Sequence, residues 1–413
     1  MARVIPFRAI RPREDLADRI AALPYDVYSR KEAYEKVKGD SYTFLRIDRP
    51  ETQFSEDYDM YAPEVYEKAR NMLNKMIREG LFIEEEKEAY YVYELVMNGR
   101  SQVGIGACAS VEDYDRQIIR KHENTRADKE EDRIRHVNVC SAQTGPIFLA
   151  YRRREGIETQ VHKAMDRPPV YDFTADDGII HRLWVIDDPS DVAGIRREFE
   201  QVETIYIADG HHRCASAVRV SHMRRETHPG FSGEEQFNFF LSVLFPDDQL
   251  MIMDYNRVVK SLNGYSDEAF IEKVGQIFDL SIVGKDPYKP QHKGEIGMYL
   301  GDIWYCLKIR KEQYTGDAAD DLDVAVLQRD LLKPILGIKD PKIDDRIDFV
   351  GGIRGMEELV MRVHTDAKAA FAMYPTDIHE LFNVSDAGKL MPPKSTWFEP
   401  KLRSGLLIHK IEP

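Results

Sequence analysis

Glu203-Thr204-Ile205-Tyr206-Ile207-Ala208-Asp209-Gly210-His211-His212-Arg213 is the stretch on which the fold turns. Its β-branched and aromatic residues predict a strand from Glu203 to Ala208. Asp209-Gly210 then makes a tight turn, and a helix begins at the histidines. The first turn of a helix offers unpaired N–H groups and a partial positive charge, which together bind phosphate. Arg213 supplies a bidentate, charge-assisted contact, and His211 and His212 add donors. Asp209 is suited to hold a metal ion or receive a proton. The plainer alternative makes Asp209 a helix cap followed by surface histidines.

Upstream, Pro63 opens a helix whose apolar positions Val65, Ala69, Met72, Leu73 and Met76 recur at helical spacing, and Gly80 closes it. Tyr90 to Met97 reads as a strand, Asn98-Gly99 as a hairpin turn, and a second strand starts at Gln102. Gly104-Ile105-Gly106-Ala107-Cys108-Ala109 matches a loose dinucleotide-binding pattern, but that fingerprint must open a helix, and here it lies inside a hairpin strand. Ile147 to Tyr151 is a further apolar strand. Downstream, Tyr265 to Phe278, Leu322 to Leu332 and Met356 to Tyr374 read as amphipathic helices, and Tyr25, near the start, sits in the turn-like Leu23-Pro24-Tyr25-Asp26-Val27. Mixed strands and helices point to an α+β or α/β architecture.

The chain has 413 residues, too many for one ordinary core, so two or three domains are expected. The formal net charge of −14 opposes non-specific attraction to nucleic acid or anionic lipid. Four scattered cysteines form no C-x-x-C pair, which signals neither a disulfide framework nor a structural zinc site and fits a reducing compartment. The first residues lack a signal-peptide pattern, and no stretch approaches a membrane span, so a cytoplasmic location is expected. Phosphate-binding P-loop, protein-kinase and G-x-S-x-G signatures are absent.

A second motif is Lys121-His122-Glu123-Asn124-Thr125-Arg126. It fails the H-E-x-x-H zinc pattern because Arg126 occupies the second histidine position, which speaks against a metal role for the segment. Glu123 can instead act as a general base on a hydroxyl. A solvated charged face is the plainer reading. A third is Lys394-Ser395-Thr396-Trp397, two hydroxyls beside a lysine after a stiff double proline, suited to a carboxylate or phosphate or else a rigid surface turn.

Ile207 to Arg213 resembles the phosphate-binding box of the ParB/sulfiredoxin-like fold, most closely its free serine kinase branch. That branch also carries an upstream His-Glu whose Glu activates the serine hydroxyl, matched here by His122-Glu123. The wider set Pro24 to Val27, Lys121 to Thr125, Asp209 to Arg213, Tyr255 to Val259 and Met391 to Lys401 looks like a large uncharacterised bacterial family related to those kinases. Two departures stand out. The insert between the two motifs is much longer here, and the chain is far larger than a minimal serine kinase. Sulfiredoxin chemistry fits poorly, since its cysteine precedes the His-Arg pair whereas Cys214 follows the Arg here. DNA partitioning by a ParB protein is opposed by the acidic balance.

The resemblance implies a ParB/sulfiredoxin-like mixed core at 89–260, an N-terminal α/β region at 1–88, and a C-terminal α/β region at 261–413 that returns the 391–401 loop to the site. It implies phosphoryl transfer between an adenine nucleotide (ATP or ADP, with Mg²⁺) and free serine or O-phosphoserine, in either direction. Glu123 would be the base. Gly210, His211, His212 and Arg213 would hold phosphate, with Asp209 catalytic and a candidate Mg²⁺ ligand. Candidate substrate contacts are His122, Thr125, Arg126, Arg133, Lys394, Ser395 and Thr396, with Asp26 and Arg46 as weaker candidates. The terminal additions could complete the pocket, close it as a lid, or form a homodimer. A non-enzymatic nucleotide-binding regulator and a metal-dependent phosphatase are the alternatives.

Overall fold

The computed structural model describes residues 1–412. It divides into two compact units: residues 1–250 with 400–413, and residues 251–399. These boundaries fall at 250/251 and 399/400, whereas the sequence placed them at 88 and 260.

The first unit is built on a nine-stranded mixed sheet. In chain order its strands are β1 (Val4–Ile5), β2 (Tyr90–Met97), β3 (Arg100–Ser110), β4 (Ile119–Arg120), β5 (Ile147–Tyr151), β6 (Tyr171–Thr174), β7 (Ile180–Ile186), β8 (Ile205–Asp209) and β9 (Phe239–Pro246). Their order across the sheet is β4-β8-β5-β9-β3-β2-β7-β6, with β1 also on β3. Residues Asn98 and Gly99 both have positive φ, 53° and 78°, as the twist-matched two-residue hairpin turn requires, and Met97 pairs with Arg100. The expected helix is found at Pro63–Arg78 (α1), and buries Val65, Ala69, Leu73 and Met76. The other principal helices of this unit are α2 (Ala127–Cys140), α3 (Glu155–Met165), α4 (Pro189–Phe199) and α5 (His211–Thr227).

One face of the sheet is closed by apolar side chains from strands and helices together, among them Val92, Ile105, Leu149, Ile157, Ile195, Phe199 and Ile207. Helices α2 and α5 meet through Ile134, Val137 and Val220, and the Ser216 hydroxyl donates to the Glu130 carbonyl at 3.2 Å. The glycines of the discarded dinucleotide pattern have a packing role. A Cβ on Gly104 would stand 2.9 Å from the Phe245 ring of β9, and one on Gly106 would stand 2.9 Å from Leu407. Residues 400–413 return to this unit, where His409 and Lys410 pair with Gln143 and Ala142.

The second unit carries a six-stranded sheet formed by β10 (Tyr255–Val259), β11 (Asp279–Gly284), β12 (Glu295–Leu300), β13 (Ile303–Lys308), β14 (Ile347–Gly351) and β15 (Ala369–Met373), ordered β11-β13-β12-β15-β10-β14. Its helices include α6 (Asp267–Ile277) and α7 (Met356–Thr365). The expected helix over Met356 to Tyr374 is half right: α7 ends at Thr365, and the alanine-rich remainder is the buried strand β15. Alanine favours helix intrinsically, but pairing on both edges, Ala370 with Val258 and Phe371 with Met298, overrides that preference. The expected helix over Leu322 to Leu332 is a short α-helix, Asp323–Leu327, that widens into a π-turn over Gln328–Leu332.

Candidate active site

Strand β8 runs into Gly210, which adopts φ 89°, ψ 30°, and α5 starts at the next residue. Only glycine takes that left-handed conformation without strain. The first intrahelical bond of α5 runs from the Cys214 N–H to the Gly210 carbonyl at 2.9 Å, so the amides of His211, His212 and Arg213 precede the ladder and are directed beyond the helix end. No acidic residue stands in this first turn. Arg213 curls back over the turn: its guanidinium lies within 3.2 Å of where a Gly210 Cβ would be, and its Nη1 donates to the Pro146 carbonyl.

The His-Glu motif reaches the same place through sheet topology. Strand β4 pairs in parallel with β8, Ile119 opposite Ile205 and Arg120 opposite Tyr206. Two parallel neighbours end on the same side, so His122, just past β4, arrives beside Asp209 and His211 at the end of β8. The long insert between the motifs, holding α2 to α4 and β5 to β7, leaves and returns without disturbing that pairing. The rings of His122 and His211 meet edge to face with centroids 4.5 Å apart. The Arg126 amide donates to His212 Nε2 at 3.0 Å. One potential ligand atom from each of His122, Glu123 and His211 lies within 4.8 Å of the other two.

Electrostatics set the protonation states. Burial opposes ionisation of Asp209, but the charges of Lys401 and Arg213, with hydrogen bonds from Lys401 and the Gly210 amide, outweigh it and hold the carboxyl well below the usual carboxylate range. The Lys401 ammonium sits 2.9 Å from Asp209 Oδ2, and the Gly210 amide 2.7 Å from Oδ1. Both oxygens are therefore engaged, and a metal ion on Asp209 would have to displace Lys401. Burial pulls His122 down to about 4. It also pulls His211 well below the ordinary histidine value, helped by neighbouring His122. Both imidazoles are neutral at pH 7. The Cys214 thiol is pushed up by burial and is no nucleophile.

The remaining sequence candidates are distributed as follows. The Thr125 hydroxyl donates to Glu130 at 2.7 Å, and the exposed Arg126 guanidinium pairs with Asp128 at 3.0 Å. Arg133 is buried, ion-paired with Asp132 at 2.8 Å, and lies over the Tyr25 ring. It lines a cavity of about 30 Å³ together with Arg213, and a larger one of about 270 Å³ together with Asp26. Arg46 donates instead to the Asp40 carbonyl at 3.2 Å. Lys394, Ser395 and Thr396 belong to the second unit. There the Arg257 guanidinium donates to the Lys394 carbonyl at 3.0 Å, and the Ser395 hydroxyl donates to the Pro392 carbonyl at 2.6 Å. Lys401 was not among the sequence candidates. It lies at the end of the Met391 to Lys401 run, and a cation in a return segment was the signal available.

A family model described as "Protein of unknown function (DUF1015)" matches residues 4–325, most of the chain. The chain belongs to the DUF1015 family. No curated protein matches it. Among solved structures, C-terminally truncated SbnI from Staphylococcus aureus is 11% identical, with a TM-score of 0.38, over 74% of this chain and 87% of that one. A free serine kinase in complex with AMP is 13% identical, with a TM-score of 0.35, over 74% and 91%. A conserved hypothetical protein from Pyrococcus furiosus is 12% identical, with a TM-score of 0.34, over 74% and 95%. Among the described residues of this DUF1015 member, no helix is long and apolar enough to cross a membrane.

Proposed function

We propose that this chain transfers a phosphoryl group between an adenine nucleotide and the hydroxyl of free serine. The observation that carries the reading is the meeting of a phosphate-binding turn, Asp209 to Arg213, with the His122-Glu123 pair at the end of two parallel strands. Phosphoryl transfer needs positioning and neutralisation of charge more than covalent chemistry. The amides of His211 to Arg213 and the α5 dipole receive phosphate oxygens, and Arg213 adds a cation over the turn. Lys401, paired with Asp209, keeps a second cation beside it.

In the forward direction the serine oxygen attacks the terminal phosphorus, the bond to the nucleotide's bridging oxygen breaks, and Glu123 takes the hydroxyl proton. In reverse, O-phosphoserine gives its phosphoryl group to ADP, and Glu123 returns the proton to serine. Mg²⁺ brought with the nucleotide would neutralise charge on the phosphates, and Asp209 would be its candidate ligand in this chain. Arg126, Arg133 and Thr125 are the candidates in the first unit for the serine carboxylate or the phosphate. Support comes from the sequence resemblance, the positive-φ glycine at the helix start, and the neutral imidazoles beside it.

The test is to incubate the protein with O-phosphoserine, ADP and Mg²⁺. ATP formation is expected, and Glu123→Gln should slow it by about 10²- to 10⁴-fold, the usual cost of removing a general base. Free phosphate without ATP would make the chain a phosphatase. Binding of ADP without turnover would make it a nucleotide-binding regulator.

A further inference from the structure

Two imidazoles at the site are left with unmet bonding capacity. His122 is 2% exposed and His211 9% exposed. His122 Nδ1 and His211 Nε2 are each shielded from solvent and make no hydrogen bond among the described residues. A buried polar atom without a partner is costly, and folded proteins rarely tolerate two side by side. The His122 ring is also oriented. It hydrogen-bonds the backbone of Ile207, and since Nδ1 is the unpartnered atom, Nε2 makes that bond. Donation from Nε2–H to a carbonyl leaves the lone pair on Nδ1. Metal-binding histidines are held in this way, one nitrogen donating to a backbone oxygen and the other facing the ion.

We propose that His122 Nδ1, His211 Nε2 and a carboxylate oxygen of Glu123 form a binding site for a divalent transition cation of the zinc class. Two nitrogens and one oxygen make a three-ligand set, which leaves a coordination position open to water or another ligand. Ligands on one tetrahedral ion stand about 3.3 Å apart, given metal–ligand distances near 2.0–2.1 Å. One ligand atom from each of the three residues lies within 4.8 Å of the other two, so small side-chain rotations close the set. The ligands sit on the parallel β4–β8 end and on the first residue of α5, both fixed by sheet and helix bonding. Imidazole nitrogens select zinc, copper, iron or nickel over magnesium, which prefers oxygen and keeps its waters. The site is therefore distinct from the Mg²⁺ that enters with a nucleotide. It does not rest on the phosphotransferase reading. Glu123 serves both, one oxygen on the cation and the other taking the proton.

The experiment uses the full chain, stripped with chelator and dialysed, with no nucleotide or serine present. Calorimetric titration with ZnCl₂, checked by elemental analysis after dialysis, should show one equivalent bound, undisplaced by excess MgCl₂. His211→Ala and Glu123→Gln should each weaken zinc binding at least about 10-fold, with fold checked by circular dichroism; His364→Ala, in the second unit, should leave it unchanged. Cobalt substitution should give visible absorption bands that the His211→Ala protein lacks. Failure to bind one equivalent, or binding in His211→Ala and Glu123→Gln equal to wild type, overturns the site. Neither outcome bears on ATP formation from O-phosphoserine, so the two readings fail separately.

Discussion

Replacing Gly210 with alanine tests the turn at the centre of the site. Gly210 sits at φ 89°, and its added Cβ would stand 3.0 Å from Arg213 Nη2 and 3.1 Å from Nε. Two costs follow. The left-handed backbone costs an L-residue about 1–2 kcal/mol. The Arg213 guanidinium must also give way by a few tenths of an ångström, although its Nη1 is anchored on the Pro146 carbonyl. Gly178 is an internal control: it has φ 78° in the same unit, and its Cβ would meet nothing within 4 Å. Gly178→Ala should lose about 1–2 kcal/mol of stability by urea denaturation and keep its affinity for ADP. Gly210→Ala should lose at least as much and also bind ADP about 10- to 150-fold more weakly, the equivalent of a charge-assisted hydrogen bond worth about 1.5–3 kcal/mol. Wild-type stability in Gly210→Ala would refute the backbone reasoning. A stability loss with unchanged ADP affinity would refute the phosphate-site reasoning.

Other predictions address the surroundings. Lys401→Met removes the main counter-charge of Asp209, whose side chain is 34% exposed, and should cost about 1–2 kcal/mol at pH 7. A depressed carboxyl contributes stability above its unfolded pKa and loses it as pH falls through the folded value. The variant should therefore show Asp209 titrating at higher pH by carbon-detected NMR, and an unmoved titration would refute the pairing. Gly104→Ala drives a Cβ to 2.9 Å from the Phe245 ring and should cost about 1–3 kcal/mol without changing ADP affinity; a weakened affinity would return the dinucleotide reading to the glycines of β3. Burial pulls His409 from 6.5 down to about 3. The unfolded chain thus binds more protons between those values, and stability falls as pH drops through that window, by up to about 1.4 kcal/mol per pH unit. His409→Gln should flatten this limb in denaturation at stepped pH, and equal slopes would count against a neutral buried imidazole.

Local chemistry made much of this legible in the sequence. The β8–Gly210–α5 turn, the Asn98-Gly99 hairpin and α1 are each specified by residues within a few positions of one another, and all three appear where the pattern puts them. Elements decided at long range were not legible. The β15 strand reads as helix because its alanines say nothing about the strands on either side. Arg133 enters the sequence reading only as a candidate substrate contact, and no neighbour in the chain reveals that it is buried on α2, where it finds Asp132 and the Asp48 carbonyl. The H-E-x-x-H test looks only one helical turn ahead for a second histidine, so it is blind to the candidate cluster in which His211 joins His122 and Glu123 across a parallel strand pair. Lys401 escaped for the same reason: its partner Asp209 is 192 residues away.

The return of residues 400–413 to the first unit has a consequence for how the chain is made. During synthesis, Asp209 and its turn emerge long before Lys401, and all of 251–399 must follow before the ammonium that holds Asp209 exists. Through that interval, tens of seconds or less at about 5–20 residues per second, the nascent first unit carries an Asp209 without its main counter-charge and lacks the final β-pairing at Gln143. The turn is completed last, so a nascent chain interrupted anywhere in the second unit would display the motif without the assembled site.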